Sequence, residues 1–135
     1  VPAAIMAKLV QPERFALCFA GDGDFQMNCQ ELGTALQHGA APVILVLNNG
    51  TYGTIRMHQE RDYPRRVSGT EIVNPDFAAL ARSYGFHGET VERTVDFVAA
   101  WERACASPNG AVLELVTDAE AITPRTTITA LRGDG

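Results

Sequence analysis

Two short polar segments carry the residue types that could do chemistry: Gly21-Asp22-Gly23-Asp24 and, after the 24 residues that follow Gly23, Asn48-Asn49-Gly50. Each comes directly after an apolar run, Phe15 to Ala20 for the first and Val43 to Leu47 for the second. Glycines at a turn that opens a helix let backbone N–H groups face outward, and the missing side chains of Gly21 and Gly23 let a ligand approach. Such a turn is a seat for phosphate. Asp22 offers a carboxylate, Asn49 an amide oxygen, and the turn beyond Asn49 a main-chain carbonyl. Hard oxygen donors, one of them charged, suit magnesium, which takes few protein ligands and completes its shell with phosphate oxygens and water. Brought together, the two segments would hold a magnesium-bridged diphosphate.

Whether they meet depends on the elements between them. Short apolar runs alternate with longer amphipathic ones, the pattern of a mostly parallel sheet with helices on both faces, an α/β fold. The strand candidates are Phe15 to Ala20, Val43 to Leu47, Phe86 to Val91 and Ala111 to Val116; the helix candidates are Ala3 to Val10, Phe25 to His38, Asp76 to Tyr84 and Val95 to Ala106, with a short helix from about Tyr52 to Glu60. Strand, helix and second strand make one crossover, which puts the carboxyl ends of both strands on the same edge of the sheet. Ligands of open parallel sheets bind along that edge. The order strand, tripeptide, helix, strand, Asn-Asn carries this reading; the tripeptide alone does not, since Gly133-Asp134-Gly135 repeats it with no helix to follow.

Composition bounds the rest. A length of 135 residues, 46% of them apolar, fits a single core. The division expected is a domain over residues 1–118 and a polar, proline-interrupted tail or arm over 119–135. A formal net charge of −5 argues against a nucleic-acid surface. Arg56, Arg61, Arg65 and Arg66 lie among Glu60 and Asp62, which reads as a solvated loop with internal ion pairs. Three scattered cysteines, Cys18, Cys29 and Cys105, fit neither a disulfide framework nor a zinc site, so a reducing cytoplasm is expected. No apolar run is long enough to span a membrane. The start at Val1-Pro2-Ala3, inside an Ala-rich helical pattern, reads as the interior of a longer polypeptide.

With those residues in place, the chain resembles the cofactor domain of thiamine diphosphate-dependent enzymes of the acetolactate synthase, benzoylformate decarboxylase and pyruvate decarboxylase superfamily. The likeness rests on Gly21-Asp22-Gly23 with Asn48-Asn49, on Val1-Pro2-Ala3-Ala4-Ile5 before them, and on Tyr52-Gly53, Asn74-Pro75-Asp76-Phe77, Ala81 and Tyr84-Gly85 after them. It implies that Asp22 and Asn49 coordinate magnesium through their side chains and Thr51 through its carbonyl oxygen. Gly23 and Asp24 would meet the diphosphate, and Tyr52 and Gly53 would close over it. Thr54, Ile55 and His58 would face the substrate from the short helix that follows.

The chain departs from the pattern at Asp24, where serine is common, and at Met57-His58, where acetolactate synthases typically carry Gln-Trp. Asp24 is expected to cap the following helix instead. His38 and His87 are assigned structural roles.

The resemblance further implies a lyase or transferase acting on a 2-oxo acid or related small carbonyl compound, by decarboxylation or carboligation, within a homo-oligomer. The activating glutamate would come from the pyrimidine-binding domain of another subunit, so no catalytic residue is expected in this chain; a flavin (FAD) is possible but not indicated. A non-catalytic cofactor-binding or assembly module and a generic nucleotide-binding α/β domain are the alternatives.

Overall fold

The computed structural model describes residues 1–123 and 125–133. Four strands, β1 (Leu17–Gly21), β2 (Val43–Asn48), β3 (His87–Val91) and β4 (Ala111–Val116), form one wholly parallel sheet in the order β1-β2-β4-β3. Among the described residues seven α-helices accompany them: α1 (Pro2–Val10), α2 (Asp22–Gln26), α3 (Glu31–Gln37), α4 (Gly53–Asp62), α5 (Phe77–Ser83), α6 (Phe97–Ala106) and α7 (Ile128–Leu131).

Alternation along the strands sorts the core into two layers. Ile44, Val46 and Val112 point to one face, where they pack with Phe25, Leu32 and Phe77 from α2, α3 and α5. Val43, Leu45 and Leu113 point to the other, against Ala100 and Ala104 of α6. Helices thus cover both faces, as the apolar strand patterns predict. Phe25 and Phe77 meet edge to face, with ring centroids 5.4 Å apart, a geometry that adds to their area burial. Beside β1 the α6 face is open, and Leu17, Phe19 and Leu47 remain 38%, 66% and 40% exposed.

Pairing register is what positions the candidate site. Leu17 lies opposite Val43 and Gly21 opposite Leu47, so the two strands run level and end together. Asp22 and Asn48-Asn49 therefore leave the sheet at neighbouring strand ends.

Three expectations change. The helix predicted over Phe25 to His38 is two: α2 starts earlier, at Asp22, and α3 ends at Gln37, with Met27 to Gln30 between them. The chain keeps winding there, but through i to i+3 bonds (Asn28 N–H to Phe25 O, Glu31 N–H to Asn28 O), a tighter coil that redirects the axis while Phe25 and Leu32 both stay buried. The helix predicted from Val95 begins as a 3₁₀ turn, Thr94–Asp96, before α6.

The polar segment after Asp118 is built rather than loose. A short antiparallel ribbon, β5 (Ala121–Thr123) with β6 (Thr126–Thr127), leads into α7, which Thr127 caps by accepting the Ala130 N–H at 3.1 Å. Ile128 is wholly buried and α7 packs on α4. Asp134 and Gly135 of the repeated tripeptide lie outside the described residues.

Candidate functional site

Asp22 opens α2 immediately after β1, with Gly21 in extended conformation at the cap position. The carboxylate is nearly buried, at 3% exposure, and fully engaged with its surroundings. Its Oδ1 accepts from Gly23 N–H at 2.9 Å; its Oδ2 accepts from Gly50 N–H at 2.9 Å and from Asn74 Nδ2 at 2.7 Å. The Gly50 bond joins the two loop tips directly. It requires the backbone at Gly50 to turn through φ +66°, which glycine adopts without strain.

Around Asn49 the second loop is fixed from both sides. Asn49 Oδ1 accepts Thr51 N–H at 3.0 Å, a local turn typical of asparagine. Thr51 forms an antiparallel bridge with Glu71, flanked by bonds from Tyr52 N–H to Thr70 O and from Ile72 N–H to Gly50 O. In that pattern the N–H and C=O of Thr51 itself point away from residues 70–72. The Thr51 hydroxyl donates to Thr70 O at 2.8 Å, which satisfies a buried side chain.

Together the loops wall a cleft of about 450 Å³. Asp22, Gly23 and Asp24 line it from one loop; Asn49, Thr51, Tyr52 and Gly53 line it from the other, with Thr54 and Ile55 from the first turn of α4. Ala119, Ala121 and Ile122, from and just before the C-terminal ribbon, complete the wall. His58 is exposed on α4 and is not among the lining residues.

The glycines are explained by close approach. A Cβ on Gly23 would stand 2.5 Å from Tyr52 Cε1 and 3.3 Å from Ile72, and one on Gly53 would stand 3.2 Å from Asn49 Nδ2. At Gly23 the space freed by the missing side chain is thus occupied by the Tyr52 ring. Asp24 does not cap a helix: neither α2 nor α3 has a side-chain cap, and Asp24 sits within the first turn of α2, its carboxylate leaning toward Gly21.

The donor chemistry fits a small hard cation. A carboxylate offers about four acceptor positions and Asp22 uses three, while Asn49 Oδ1 uses one of two. Among the described residues no three His, Cys, Asp or Glu side chains converge as a metal cage. A cation at these tips would therefore take its remaining ligands from water or a ligand's phosphates, as magnesium does.

Several polar residues hold this arrangement through contacts that the sequence does not display. Asn74, named in sequence only as part of Asn74-Pro75-Asp76-Phe77, reaches Asp22 across 52 positions and also donates to Asn48 Oδ1 at 2.8 Å. Gln26 Nε2 donates to Asn74 Oδ1 at 2.7 Å. Asn48 Nδ2 donates to Glu114 Oε1 at 2.6 Å, and Thr90 Oγ1 donates to Glu114 Oε2 at 3.0 Å. Asp76, by contrast, caps α5 as its place in the sequence suggests, accepting Ala79 N–H at 2.7 Å.

The arginine-rich stretch is only partly solvated. Arg61 pairs with Asp62 at 2.8 Å in the open, but Glu60 is fully buried, contrary to the sequence reading. Arg132, beyond α7, grips Glu60 with two guanidinium nitrogens, and Arg65 N–H adds a bond at 2.8 Å. Arg132's hydrogen bonds foremost hold the Glu60 carboxyl down at about 2, against desolvation that pushes it up. His38 is exposed at the end of α3, and His87 pairs with Glu89 at 3.1 Å; neither lines the cleft.

Residues 1–115 match the family model described as "Thiamine pyrophosphate enzyme, C-terminal TPP binding domain". Among similar proteins, an acetolactate synthase large subunit of Cyanidium caldarium is 36% identical over 118 residues, which are 86% of this chain and 20% of that protein. The acetolactate synthase isozyme 2 large subunit of Escherichia coli K12 is 34% identical over 119 residues, 87% of this chain and 22% of that one. An acetolactate synthase large subunit of Haemophilus influenzae is 48% identical over 88 residues, 64% and 15% of the respective chains. The chain thus spans about a fifth of the length of the first two relatives. Since the matched residues contain the whole β1-to-α4 segment that builds the two loop tips, this chain belongs to the thiamine pyrophosphate enzymes, as a C-terminal TPP-binding domain.

Proposed function

We propose that this domain holds the diphosphate of thiamine diphosphate through one magnesium ion, as part of an acetolactate synthase-like enzyme acting on a 2-oxo acid. The observation that carries the reading is the Gly50 N–H to Asp22 Oδ2 bond, 2.9 Å long, which sets Asp22 and Asn49 on touching loop tips at the mouth of one cleft. Asp22 and Asn49 would ligate the ion by side-chain oxygens and Thr51 by its carbonyl. Gly23, Asp24, Tyr52 and Gly53 would contact the diphosphate. Thr54 and Ile55, which line the same cleft, are the substrate-side residues; His58 belongs with them only if α4 turns or the cleft widens in the assembled enzyme.

When bound, thiamine diphosphate supplies a nucleophilic thiazolium carbon that adds to a carbonyl and takes up the electron pair of a broken carbon–carbon bond. This chain's own part is to bind, orient and enclose it. The activating glutamate belongs to a pyrimidine-binding domain of another subunit, and the exposed Leu17, Phe19 and Leu47 are surface that a larger cytoplasmic homo-oligomer would cover. In this division residues 1–118 are the cofactor domain and 119–135 an arm, part of which closes one side of the cleft. Lyase and transferase outcomes differ only in what accepts the remaining fragment.

The test uses the full-length protein with thiamine diphosphate and magnesium against a panel of 2-oxo acids, following carbon dioxide release with and without a second carbonyl acceptor. Turnover that needs both additives, and that falls at least 100-fold in Asp22→Ala, is expected. Cofactor binding without turnover on any substrate would favour a non-catalytic module. Turnover indifferent to magnesium would refute the proposed site.

A further inference from the structure

We infer that Asn74 is a positioning residue for Asp22, the last member of a polar chain that runs across the carboxyl edge of the sheet and fixes which carboxylate oxygen faces the cleft. The inference rests on the magnesium reading of Asp22. The path is continuous: Thr90 to Glu114, Glu114 to Asn48, Asn48 to Asn74, Asn74 to Asp22, with contacts of 3.0, 2.6, 2.8 and 2.7 Å.

Each amide in that chain has one workable orientation. Asn74 Nδ2 has two hydrogens and two acceptors, Asp22 Oδ2 and Asn48 Oδ1, while Asn74 Oδ1 is held by Gln26 Nε2. Flipping the amide would set an oxygen against the Asp22 carboxylate. Asn48 is locked in the same way, since its Nδ2 donates to Glu114, only 6% exposed, and a flipped amide would set an oxygen against the Glu114 carboxyl group. Glu114 in turn is held in register by β3 and β4, where Thr90 and Glu114 are direct partners. The Asn74 amide is thus oriented by its immediate neighbours, Gln26 and Asn48, with Glu114 and Thr90 as a more distant support.

The effect falls on Asp22. With Gly50 N–H and Asn74 Nδ2 both on Oδ2, that oxygen's two acceptor positions are filled; Oδ1, which accepts only Gly23 N–H, keeps one open. A cation arriving at the loop tips meets Oδ1. Without Asn74, Oδ2 regains an acceptor position and the carboxylate is held by the Gly23 and Gly50 N–H groups alone. Partners of metal ligands are worth about 10–100-fold in metal affinity. Gly50 anchors the same oxygen by backbone, so no substitution at position 50 removes that bond cleanly; Asn74 is the member that mutation can delete.

The experiment measures manganese, standing for magnesium, by electron paramagnetic resonance titration of the full-length protein in the presence of thiamine diphosphate, beside melting temperature without metal. Asn74→Ala is expected to raise the manganese dissociation constant by about 10–100-fold. Thr90→Val removes the far end of the same chain; it is expected to lower the melting temperature while leaving the dissociation constant within about twofold. Asn74→Ser serves by the same criterion if Asn74→Ala does not fold. An unchanged dissociation constant in the folded Asn74 variant, or an equal rise in Thr90→Val, would overturn the positioning role and leave the metal reading intact. A wild-type protein that binds no manganese with thiamine diphosphate would overturn both.

Discussion

At the scale of single residues, the site is decided by which atoms are already spoken for. Asp22 sits almost out of solvent, yet its carboxylate is balanced by two backbone N–H groups and one amide, with a lone position left toward the cleft. Gly23 has a second role beside it. Because a Cβ there would press on the Tyr52 ring at 2.5 Å, Gly23→Ala should push Tyr52 from its place over the cleft rather than unfold the domain. We expect thiamine diphosphate affinity of the full-length protein to fall about tenfold by calorimetric titration, with melting lowered by only a few degrees. Unchanged affinity would mean that Tyr52 takes no part in closing the site. The glycine and the aspartate stood out in the sequence because a Gly-Asp-Gly turn follows an apolar run and opens a helix. Asn74 entered only as part of Asn74-Pro75-Asp76-Phe77, and its bond to Asp22 was not legible, because a side chain acting across 52 positions leaves no mark in its own neighbourhood.

At the scale of elements, the four strands were legible to within two residues, since β-branched and apolar runs such as Val43 to Val46 have no other comfortable state than a strand covered on both faces. Helix boundaries were less so. The break between α2 and α3 is made by tertiary demand, which keeps Phe25 and Leu32 inward across a tightened coil, and no glycine or proline announces it. The C-terminal ribbon and α7 were invisible for a similar reason: they are short, polar, and held by one buried residue, Ile128, and by the clasp of Arg132 on Glu60. That clasp makes its own prediction. Glu60's folded value, about 2, lies below its ordinary 4.5, so the carboxylate contributes stability that is complete above about 4.5 and is lost as pH falls toward 2. Melting curves between pH 6 and pH 2 should show Glu60→Gln less stable than wild type at pH 6, with the gap closing toward pH 2. A constant gap would mean the charge is immaterial. Arg132→Met, which leaves the buried carboxylate with Arg56 at 4.0 Å and the Arg65 N–H, should cost on the order of 3 kcal/mol at pH 6.

At the scale of the whole molecule, parallel pairing explains why a site built from residues far apart in sequence needs so little additional structure. β1 and β2 end level, β3 and β4 anchor the polar chain behind them, and the C-terminal ribbon closes the remaining side of the cleft. Fold and the meeting of the two loop tips come from the same few elements, which is why that meeting could be read from strand order and two tripeptides. Which α4 side chains face the cleft was less legible: Thr54 and Ile55 line it, whereas His58 is exposed and apart from it. The most direct test of the central claim is anomalous X-ray scattering from crystals of the full-length protein grown with manganese and thiamine diphosphate. One peak is expected between the two loop tips, bonded to Asp22 Oδ1, Asn49 Oδ1 and the Thr51 carbonyl and bridged to the diphosphate. A cofactor-bound crystal whose manganese lies elsewhere, or touches only one of the two loops, would contradict it.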